Sequence, residues 1–154
     1  MINYVVSSLT PELIPSVADL ERKCFSSPIS EEGLRSLYVG GIGKGFVCTE
    51  AVTGIVLAYG GVMCAAYEAQ VLNIATSPDY RRNGLARAIL TAILEYSQEN
   101  GAEFITLEVR EGNIPAKTLY KDNGFYEVGR LKNYYKVPTE DGLILKKDLS
   151  PKTM

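Results

Sequence analysis

The chain has 154 residues, of which 46% are hydrophobic and 22% charged, a formal charge of -2 at pH 7 and no histidine. This length and composition predict a single globular domain with its own hydrophobic core. The near balance of charge removes a broad electrostatic attraction for nucleic acid. The lack of histidine excludes Ser-His-Asp and Cys-His catalysis and histidine-ligated zinc.

The N-terminal segment and the cysteines indicate the compartment. Residues 1–6 contain no basic segment followed by a long apolar stretch, so we expect no signal peptide. The longest apolar stretch, residues 54–67, contains two adjacent glycines and is too short to span a bilayer. Cys24, Cys48 and Cys64 form no CxxC pair, which is typical of a reducing compartment. We therefore expect a cytoplasmic protein with no membrane partner, no nucleic-acid partner and no bound metal.

The first half of the sequence predicts one strand, two helices and three further strands. Residues 2–7 are strand-like, and Thr10 and Pro11 then form a typical N-cap and first position of a helix. Ser30 is the predicted N-cap of a second, shorter helix. Three strand-like runs follow, and the short turns between them predict antiparallel pairing. They cover residues 46–50, 55–65 and 70–75.

The second half predicts alternating helices and strands. Apolar residues recur at i, i+4 spacing over residues 85–96, which indicates an amphipathic helix, and a strand at 104–109 follows. A helix that joins two strands predicts a right-handed crossover between parallel strands. The remaining predicted elements are a helix and two closing strands, at residues 114–121, 125–131 and 143–147. We expect one mixed α/β domain over residues 1–149 and a short tail over residues 150–154.

A basic segment with one glycine lies between the last predicted strand of the first half and the long helix. The first backbone amides of a helix have no partner within the helix, and their partial positive charge favours a phosphate. Gly84 allows an anion to approach the main chain closely, and Arg82 and Arg87 add positive charge. The residues alone leave a second interpretation open, in which the arginines are solvated and the glycine only makes a turn.

Two residues of the second half have side chains suited to proton transfer. Glu108 lies in an apolar strand, where a carboxylate is out of place unless it faces a cleft or solvent. Tyr120 lies on the next helix, where a tyrosine usually packs in the core. A phenol can nevertheless protonate a thiolate, because their reference pKa values differ by about 1.5 units. From the residues alone, both a structural and a catalytic role remain open for each.

Residues 81–86, Arg-Arg-Asn-Gly-Leu-Ala, resemble the (Gln/Arg)-x-x-Gly-x-(Gly/Ala) signature of the GNAT N-acetyltransferase superfamily. The wider sequence resembles the RimI-type ribosomal-protein-alanine N-acetyltransferases. The residues that carry this resemblance are 72–86, 107–113, 119–120, 123–125 and 133–135. The resemblance implies the GNAT fold, an α/β fold with a mixed central sheet of six to seven strands and about four helices, splayed between strands 4 and 5.

The resemblance also implies acetyl-CoA as co-substrate. The loop before the long helix would hold its pyrophosphate, and free backbone amides at the end of the fourth strand would bind pantetheine and polarise the thioester carbonyl. Asn113, which is also a candidate helix N-cap, matches a residue that hydrogen-bonds pantetheine. The implied cofactor-binding residues are Ile74, Ala75, Thr76, Arg82, Asn83, Gly84, Leu85, Ala86, Arg87 and Asn113.

For catalysis, the resemblance implies that Glu108 is the general base and Tyr120 the general acid. Tyr134 and Tyr135 would line the acceptor groove. The implied reaction is direct attack, in a ternary complex, by the N-terminal α-amine of a protein, with a ribosomal protein as the acceptor and the enzyme as a monomer. Ile29 stands where the family usually has Trp, so acceptor specificity follows less directly than the cofactor.

Two other functions remain as alternatives. The same scaffold could acetylate a small-molecule amine or a lysine side chain. It could also bind acetyl-CoA without catalysis, but a binding module needs neither a base nor an acid, and the presence of Glu108 and Tyr120 favours an enzyme.

Overall fold

The structure is a computed structural model and describes residues 2–150. Its strands are β1 (Tyr4–Ser8), β2 (Gly43–Glu50), β3 (Val56–Ala65), β4 (Glu68–Thr76), β5 (Phe104–Arg110), β6 (Tyr126–Lys136) and β7 (Thr139–Asp148). Its α-helices are α1 (Ile14–Cys24), α2 (Glu31–Tyr38), α3 (Leu85–Glu99) and α4 (Ile114–Asp122). Single 3-10 turns at Pro11–Leu13 and Pro78–Tyr80 precede α1 and α3. Apart from Ser150, the predicted tail lies outside the described residues.

The seven strands form one mixed sheet with the order β1-β2-β3-β4-β5-β7-β6. β1 and β2 pair antiparallel, as do β2 and β3, and β7 pairs antiparallel with both β5 and β6. β4 and β5, which α3 connects, pair in parallel as predicted. Their pairing covers three residue pairs, Glu68–Gln70 with Phe104–Thr106, and both strands continue beyond it. This short pairing is in line with the predicted splay of strands 4 and 5.

The closing hairpin differs most from the prediction. β6 extends to Lys136 and β7 begins at Thr139, so the loop expected between the two predicted strands is a tight turn at Val137 and Pro138. The sequence did not predict the full length of β6, because most of its side chains are exposed and its sequence lacks the alternation of apolar and polar residues typical of a half-buried strand.

The described chain forms two compact units. The first comprises residues 2–63 and 72–96, and the second comprises residues 64–71 and 97–150. In the first unit, apolar side chains of α1, α2 and the strands pack together in a core cluster. It consists of Ile14, Val17, Ala18, Leu20, Leu34, Val47, Tyr59 and Ala75. Helix α3 packs closely on β3, because a Cβ at Gly60 would overlap the Ile89 side chain.

The first unit also buries a carboxylate. Glu21 on α1 is fully buried and accepts hydrogen bonds from the Ile29 amide at 2.8 Å, from Asn73 Nδ2 at 2.7 Å and from the Tyr59 hydroxyl. Three donors offset the cost of removing the carboxylate from water. Glu21 thereby ties the loop between α1 and α2, which contains Ile29, to β3 and β4.

In the second unit, β5 alternates between two faces. Ile105, Leu107 and Val109 are buried, whereas Glu108 and the partly exposed Arg110 lie on the opposite face. The carboxylate that is out of place in an apolar run is therefore a residue of the open face.

Among residues 2–150, no helix is both long and apolar enough to cross a membrane.

Candidate active site

The predicted site residues fall into two groups, one in each unit. The first unit holds the residues at the end of β4 and at the start of α3. The second unit holds Glu108, Asn113, Tyr120, Tyr134 and Tyr135. The two groups differ in chemical character, because the first is suited to binding an anionic ligand and the second to proton transfer.

The loop before α3 exposes backbone and positive charge together. Arg82, Asn83, Gly84 and Arg87 are exposed, and the helical hydrogen bond at the start of α3 runs from the Ala88 amide to the Gly84 carbonyl at 3.1 Å. The amides of the first turn therefore have no partner within the helix. Together with the two arginine side chains, they form a surface suited to phosphate.

Two residues of this loop have positive φ angles. Gly84 has φ 76° and Arg82 has φ 67°. No heavy atom lies within 4 Å of a Cβ built on Gly84, so the backbone angle and not crowding within the protein requires glycine there. Asn83 stabilises the loop, since its Nδ2 donates to the carbonyls of Tyr80 at 3.0 Å and Arg81 at 3.2 Å.

The remaining predicted residues of this group contribute differently. Leu85 is 1% exposed, so its side chain belongs to the core and only its backbone is available to a ligand. Thr76, the last residue of β4, has its carbonyl occupied by Cys24 Sγ at 3.3 Å and Arg81 Nε at 3.4 Å. A groove of about 390 Å³, which the sequence did not predict, adjoins the loop and is lined in part by Gly84, Arg87 and Tyr4.

In the second unit, the open face of β5 meets the two predicted acceptor-lining tyrosines. The Tyr134 hydroxyl lies beside the Glu108 carboxylate, and hydrogen bonding with this carboxylate raises the pKa of Tyr134. Tyr135 packs edge-on against Tyr134 with ring centroids 5.1 Å apart. Burial raises the pKa of Tyr135, and the negative charge of Glu108 raises it further.

An irregularity in β6 brings both tyrosines to the same place. Leu131 pairs with Gly142 and Tyr135 with Glu140, so residues 132–134 lie opposite the single residue Asp141. We call residues 132–135 the tyrosine bulge. Asn133 within it has φ 52°, and its amide donates to Asp141 Oδ1 at 2.8 Å. Successive side chains of a regular strand point to opposite faces, and the bulge removes this restriction.

Tyr120 lies on α4 and is 7% exposed. Its ring packs against Phe125 with centroids 5.5 Å apart. Burial, and to a lesser degree the neighbouring Tyr135, raises the pKa of Tyr120 to about 12. The phenol thus keeps its proton at neutral pH, as a general acid must. The gap to a free thiol becomes about 3.5 units, so proton transfer from Tyr120 is less favourable than the reference values suggest.

Asn113 is the N-cap of α4. Its side-chain oxygen accepts from the Ala116 amide at 3.3 Å. Asn113 therefore has the structural role of a helix N-cap that the sequence predicted. Because Asn113 is also exposed, its side chain remains accessible to a ligand.

Arg110 is a residue of this face that sequence reasoning missed. It lies two positions after Glu108, on the same side of β5, and its guanidinium stacks 4.4 Å from the Tyr135 ring centroid. The i, i+2 spacing of Glu108 and Arg110 on one strand is the sequence signal that places both on the same face.

Within residues 2–150, no three His, Cys, Asp or Glu side chains are grouped so that they could hold a metal ion.

Comparisons with known proteins cover most of the chain. A model of the acetyltransferase (GNAT) family matches residues 14–125. The ribosomal protein bS18-alanine N-acetyltransferase of Escherichia coli strain K12 is 34% identical over 143 residues, which are 89% of this chain and 89% of that protein.

Similar solved structures include the following two. The crystal structure of the ribosomal-protein-S18-alanine N-acetyltransferase from Escherichia coli has a TM-score of 0.88 and 31% identity, over 98% of this chain and 97% of that chain. The crystal structure of the NatC complex bound to Gag peptide and CoA has a TM-score of 0.87 and 19% identity, over 97% of this chain and 100% of that chain. At the lower identity, the likeness concerns the fold alone.

Proposed function

This chain belongs to the acetyltransferase (GNAT) family, and we propose that it transfers acetyl from acetyl-CoA to the N-terminal α-amine of a ribosomal protein. The observation that carries the proposal is the 34% identity, over 89% of both chains, to an enzyme named for alanine acetylation of ribosomal protein bS18. Membership of the family makes the chain an N-acetyltransferase, and the proposal adds the acceptor and the roles of individual residues.

We infer that the loop of the first unit binds the pyrophosphate of acetyl-CoA. The amides at the start of α3 and the exposed side chains of Arg82 and Arg87 support this assignment, because they present donors and positive charge without an intervening Cβ at Gly84. Ile74, Ala75 and Thr76 would bind the pantetheine chain through their backbone. Asn113, beyond its role as N-cap, would add a side-chain contact.

Acetyl transfer needs a neutral amine, a polarised thioester carbonyl and a proton for the departing thiolate. An α-amine has a reference pKa of about 8, so a modest base suffices at neutral pH. In the proposed reaction, the amine nitrogen forms the new C–N bond while the C–S bond breaks. Glu108 accepts the proton that leaves the amine, directly or through a water molecule.

Tyr120 completes the proton balance by donating its phenolic proton to the thiolate sulfur. Its raised pKa ensures that the proton is present at neutral pH. The same raised pKa means that Tyr120 stabilises the developing thiolate mainly as a hydrogen-bond donor, with full transfer late in the reaction. Tyr134 and Tyr135 would bind the first residues of the acceptor, since Tyr134 is 46% exposed and lies against Glu108.

We also infer that the two units act as one acetyltransferase domain over residues 1–149, as a monomer. The family match over residues 14–125 draws on both units and supports this inference. With a ribosomal protein as acceptor, the reaction would take place in the cytoplasm, where ribosomal proteins are synthesised.

The experiment is acetyl transfer to three acceptors, analysed by mass spectrometry. They are a peptide that begins with Ala, the same peptide with its α-amine blocked, and a polyamine. We expect acetylation of the first residue of the free peptide and none of the blocked peptide. Acetyl groups found only on internal lysines, or only on the polyamine, would overturn the acceptor while leaving the acetyltransferase assignment intact.

A further inference from the structure

Arg110 connects the end of β5 to the turn between β6 and β7. Its Nη1 donates to the Pro138 carbonyl at 3.0 Å and lies 3.2 Å from Glu140 Oε1, and its Nη2 donates to the Val137 carbonyl at 3.1 Å. The planar guanidinium of arginine can make several directed hydrogen bonds at once, which a lysine ammonium cannot do with the same geometry. A single side chain thus holds both carbonyls of the turn.

Glu140 extends this connection to the segment that follows β5. Its second oxygen, Oε2, accepts from the Gly112 amide at 2.6 Å. The Arg110 and Glu140 side chains are 27% and 26% exposed, so the pair is better shielded from solvent than an ordinary surface ion pair. The turn between β6 and β7 is therefore fixed to β5 on one side and to the residue before Asn113 on the other.

The same guanidinium contacts the tyrosine bulge. It stacks 4.4 Å from the centroid of the Tyr135 ring, and Tyr135 packs edge-on against Tyr134. Glu108, two residues before Arg110 on the same face of β5, is the carboxylate that raises the pKa of the Tyr134 hydroxyl. Direct contacts thus run from Arg110 through Tyr135 to Tyr134, which is the tyrosine beside the carboxylate proposed as the base.

We propose that Arg110 is a positioning residue that holds the tyrosine bulge against Glu108 and thereby sets the affinity for the acceptor. The proposal rests on the function proposed above, in which the bulge binds the acceptor. Arg110 itself contacts neither of the reacting groups in this scheme. Its effect on the reaction passes through Tyr134 and Tyr135.

The hairpin contains a matched control. Arg130 on β6 also bridges two acidic residues, Glu111 at 3.0 Å and Asp141 at 2.9 Å. Its side chain is 45% exposed, and its ion pairs are with these carboxylates, whereas Arg110 contacts the Tyr135 ring and the turn carbonyls. Replacing either arginine by glutamine removes one charge from the hairpin, but only Arg110→Gln removes a direct contact with a tyrosine ring of the bulge. Arg130 reaches the bulge only indirectly, through Asp141, which also accepts from the Asn133 amide.

The test compares steady-state kinetics of Arg110→Gln, Arg110→Lys and Arg130→Gln with the wild type. For Arg110→Gln, we expect kcat/KM for an Ala-initiated peptide to fall about 10- to 100-fold, mainly through KM, because a misplaced binding group costs this much. The KM for acetyl-CoA should stay within about twofold of the wild-type value. For Arg110→Lys, the fall in kcat/KM should be intermediate, since lysine keeps the charge near the ring but lacks the planar guanidinium that bonds both turn carbonyls.

Amide hydrogen exchange over residues 134–140, which leaves out the Asn133 amide bonded to Asp141, provides a readout without any acceptor. Arg110→Gln should exchange about 10-fold faster in this segment than Arg130→Gln, because two turn carbonyls and one ring lose their contact. Should Arg110→Gln fail to fold, Glu140→Gln weakens the same connection from the opposite side, and the same shift towards a higher peptide KM is expected.

Two results would overturn the proposal. One is a folded Arg110→Gln protein whose peptide KM and exchange match those of Arg130→Gln. The other is an equal rise of the KM values for peptide and acetyl-CoA, which would indicate general loosening. If the wild type acetylates only a polyamine, the proposed acceptor fails, and the role of Arg110 is then judged by the same comparison of KM values with that polyamine.

Discussion

The two units present two different kinds of site. In the first unit, the candidate cofactor loop is exposed and built mainly from backbone, with Gly84 and Arg82 at positive φ and no partner within the helix for the first amides of α3. In the second unit, the candidate catalytic face is built from side chains that contact one another, from Glu108 through Tyr134 and Tyr135 to Arg110.

This difference determines how each region should respond to substitution. A backbone site tolerates side-chain truncation but depends on φ, because the donors are amides that every residue except proline supplies. A side-chain site depends on single atoms, and an isosteric change suffices to disable it. Substitutions should therefore separate cofactor affinity in the first unit from turnover in the second.

The largest effect is expected at Glu108. Glu108→Gln keeps the shape but removes the base, so kcat should fall roughly 10²–10⁴-fold while calorimetric affinity for acetyl-CoA stays nearly constant. The deficit should shrink at high pH, where the amine loses its proton without help. Glu103→Gln, at an exposed glutamate just before β5, is the control and should behave as wild type. A deficit that is constant with pH would indicate a structural glutamate.

The next effect is expected at Tyr120. Tyr120→Phe keeps the packing against Phe125 but removes the transferable proton. We expect single-turnover rates to fall about 10²-fold, the lower end for acid catalysis, because burial has made this phenol a weaker acid. Acetyl-CoA affinity should change by about 1 kcal/mol or less. Tyr126→Phe removes an exposed hydroxyl bonded to Asp148 and should leave the rate unchanged; equal losses in the two variants would argue against the acid role.

A smaller effect is expected in the first unit, where the substitution should change acetyl-CoA affinity and leave the rate unchanged. Gly84→Val forces a β-branched residue to φ 76°, which costs about 1–2 kcal/mol, and should weaken acetyl-CoA binding about tenfold or more. At saturating acetyl-CoA, kcat should be retained. The control is Gly54→Val, because Gly54 has φ 75° and equally open space around its Cβ position. Similar affinities of the two variants in isothermal titration would remove the pyrophosphate assignment.

The smallest effect concerns stability at alkaline pH. Because the folded state raises the pKa of Tyr120 from 10.0 to about 12, it holds the phenolic proton more tightly than the unfolded chain. The stabilisation is complete below pH 10 and declines as the pH rises towards about 12. Between pH 10 and 11, urea denaturation should show the wild type losing about 1 kcal/mol more unfolding free energy than Tyr120→Phe. Parallel losses would mean that Tyr120 is less buried than the structure shows.

The family, the order of elements and the position of the candidate cofactor loop before α3 follow from the sequence. The predicted mixed sheet and GNAT fold are confirmed, with seven strands and four α-helices within residues 2–150 and a TM-score of 0.88 to a family member. These features depend on local signals in the sequence: the period of the apolar residues, N-caps such as Ser30, and a glycine before a helix. In the structure this glycine, Gly84, has a positive φ. Local signals survive in the sequence because each depends on residues a few positions apart.

Only the tertiary structure decided how the candidate catalytic face is assembled. The bulge that brings Tyr134 and Tyr135 together depends on a strand register, and Arg110 reaches a turn almost thirty positions away. Likewise, the buried Glu21 finds its donors at Ile29, Tyr59 and Asn73 through packing of separate elements. The sequence could not reveal these contacts, because the free energy of a buried or shielded polar group depends on partners that only folding brings within hydrogen-bond distance.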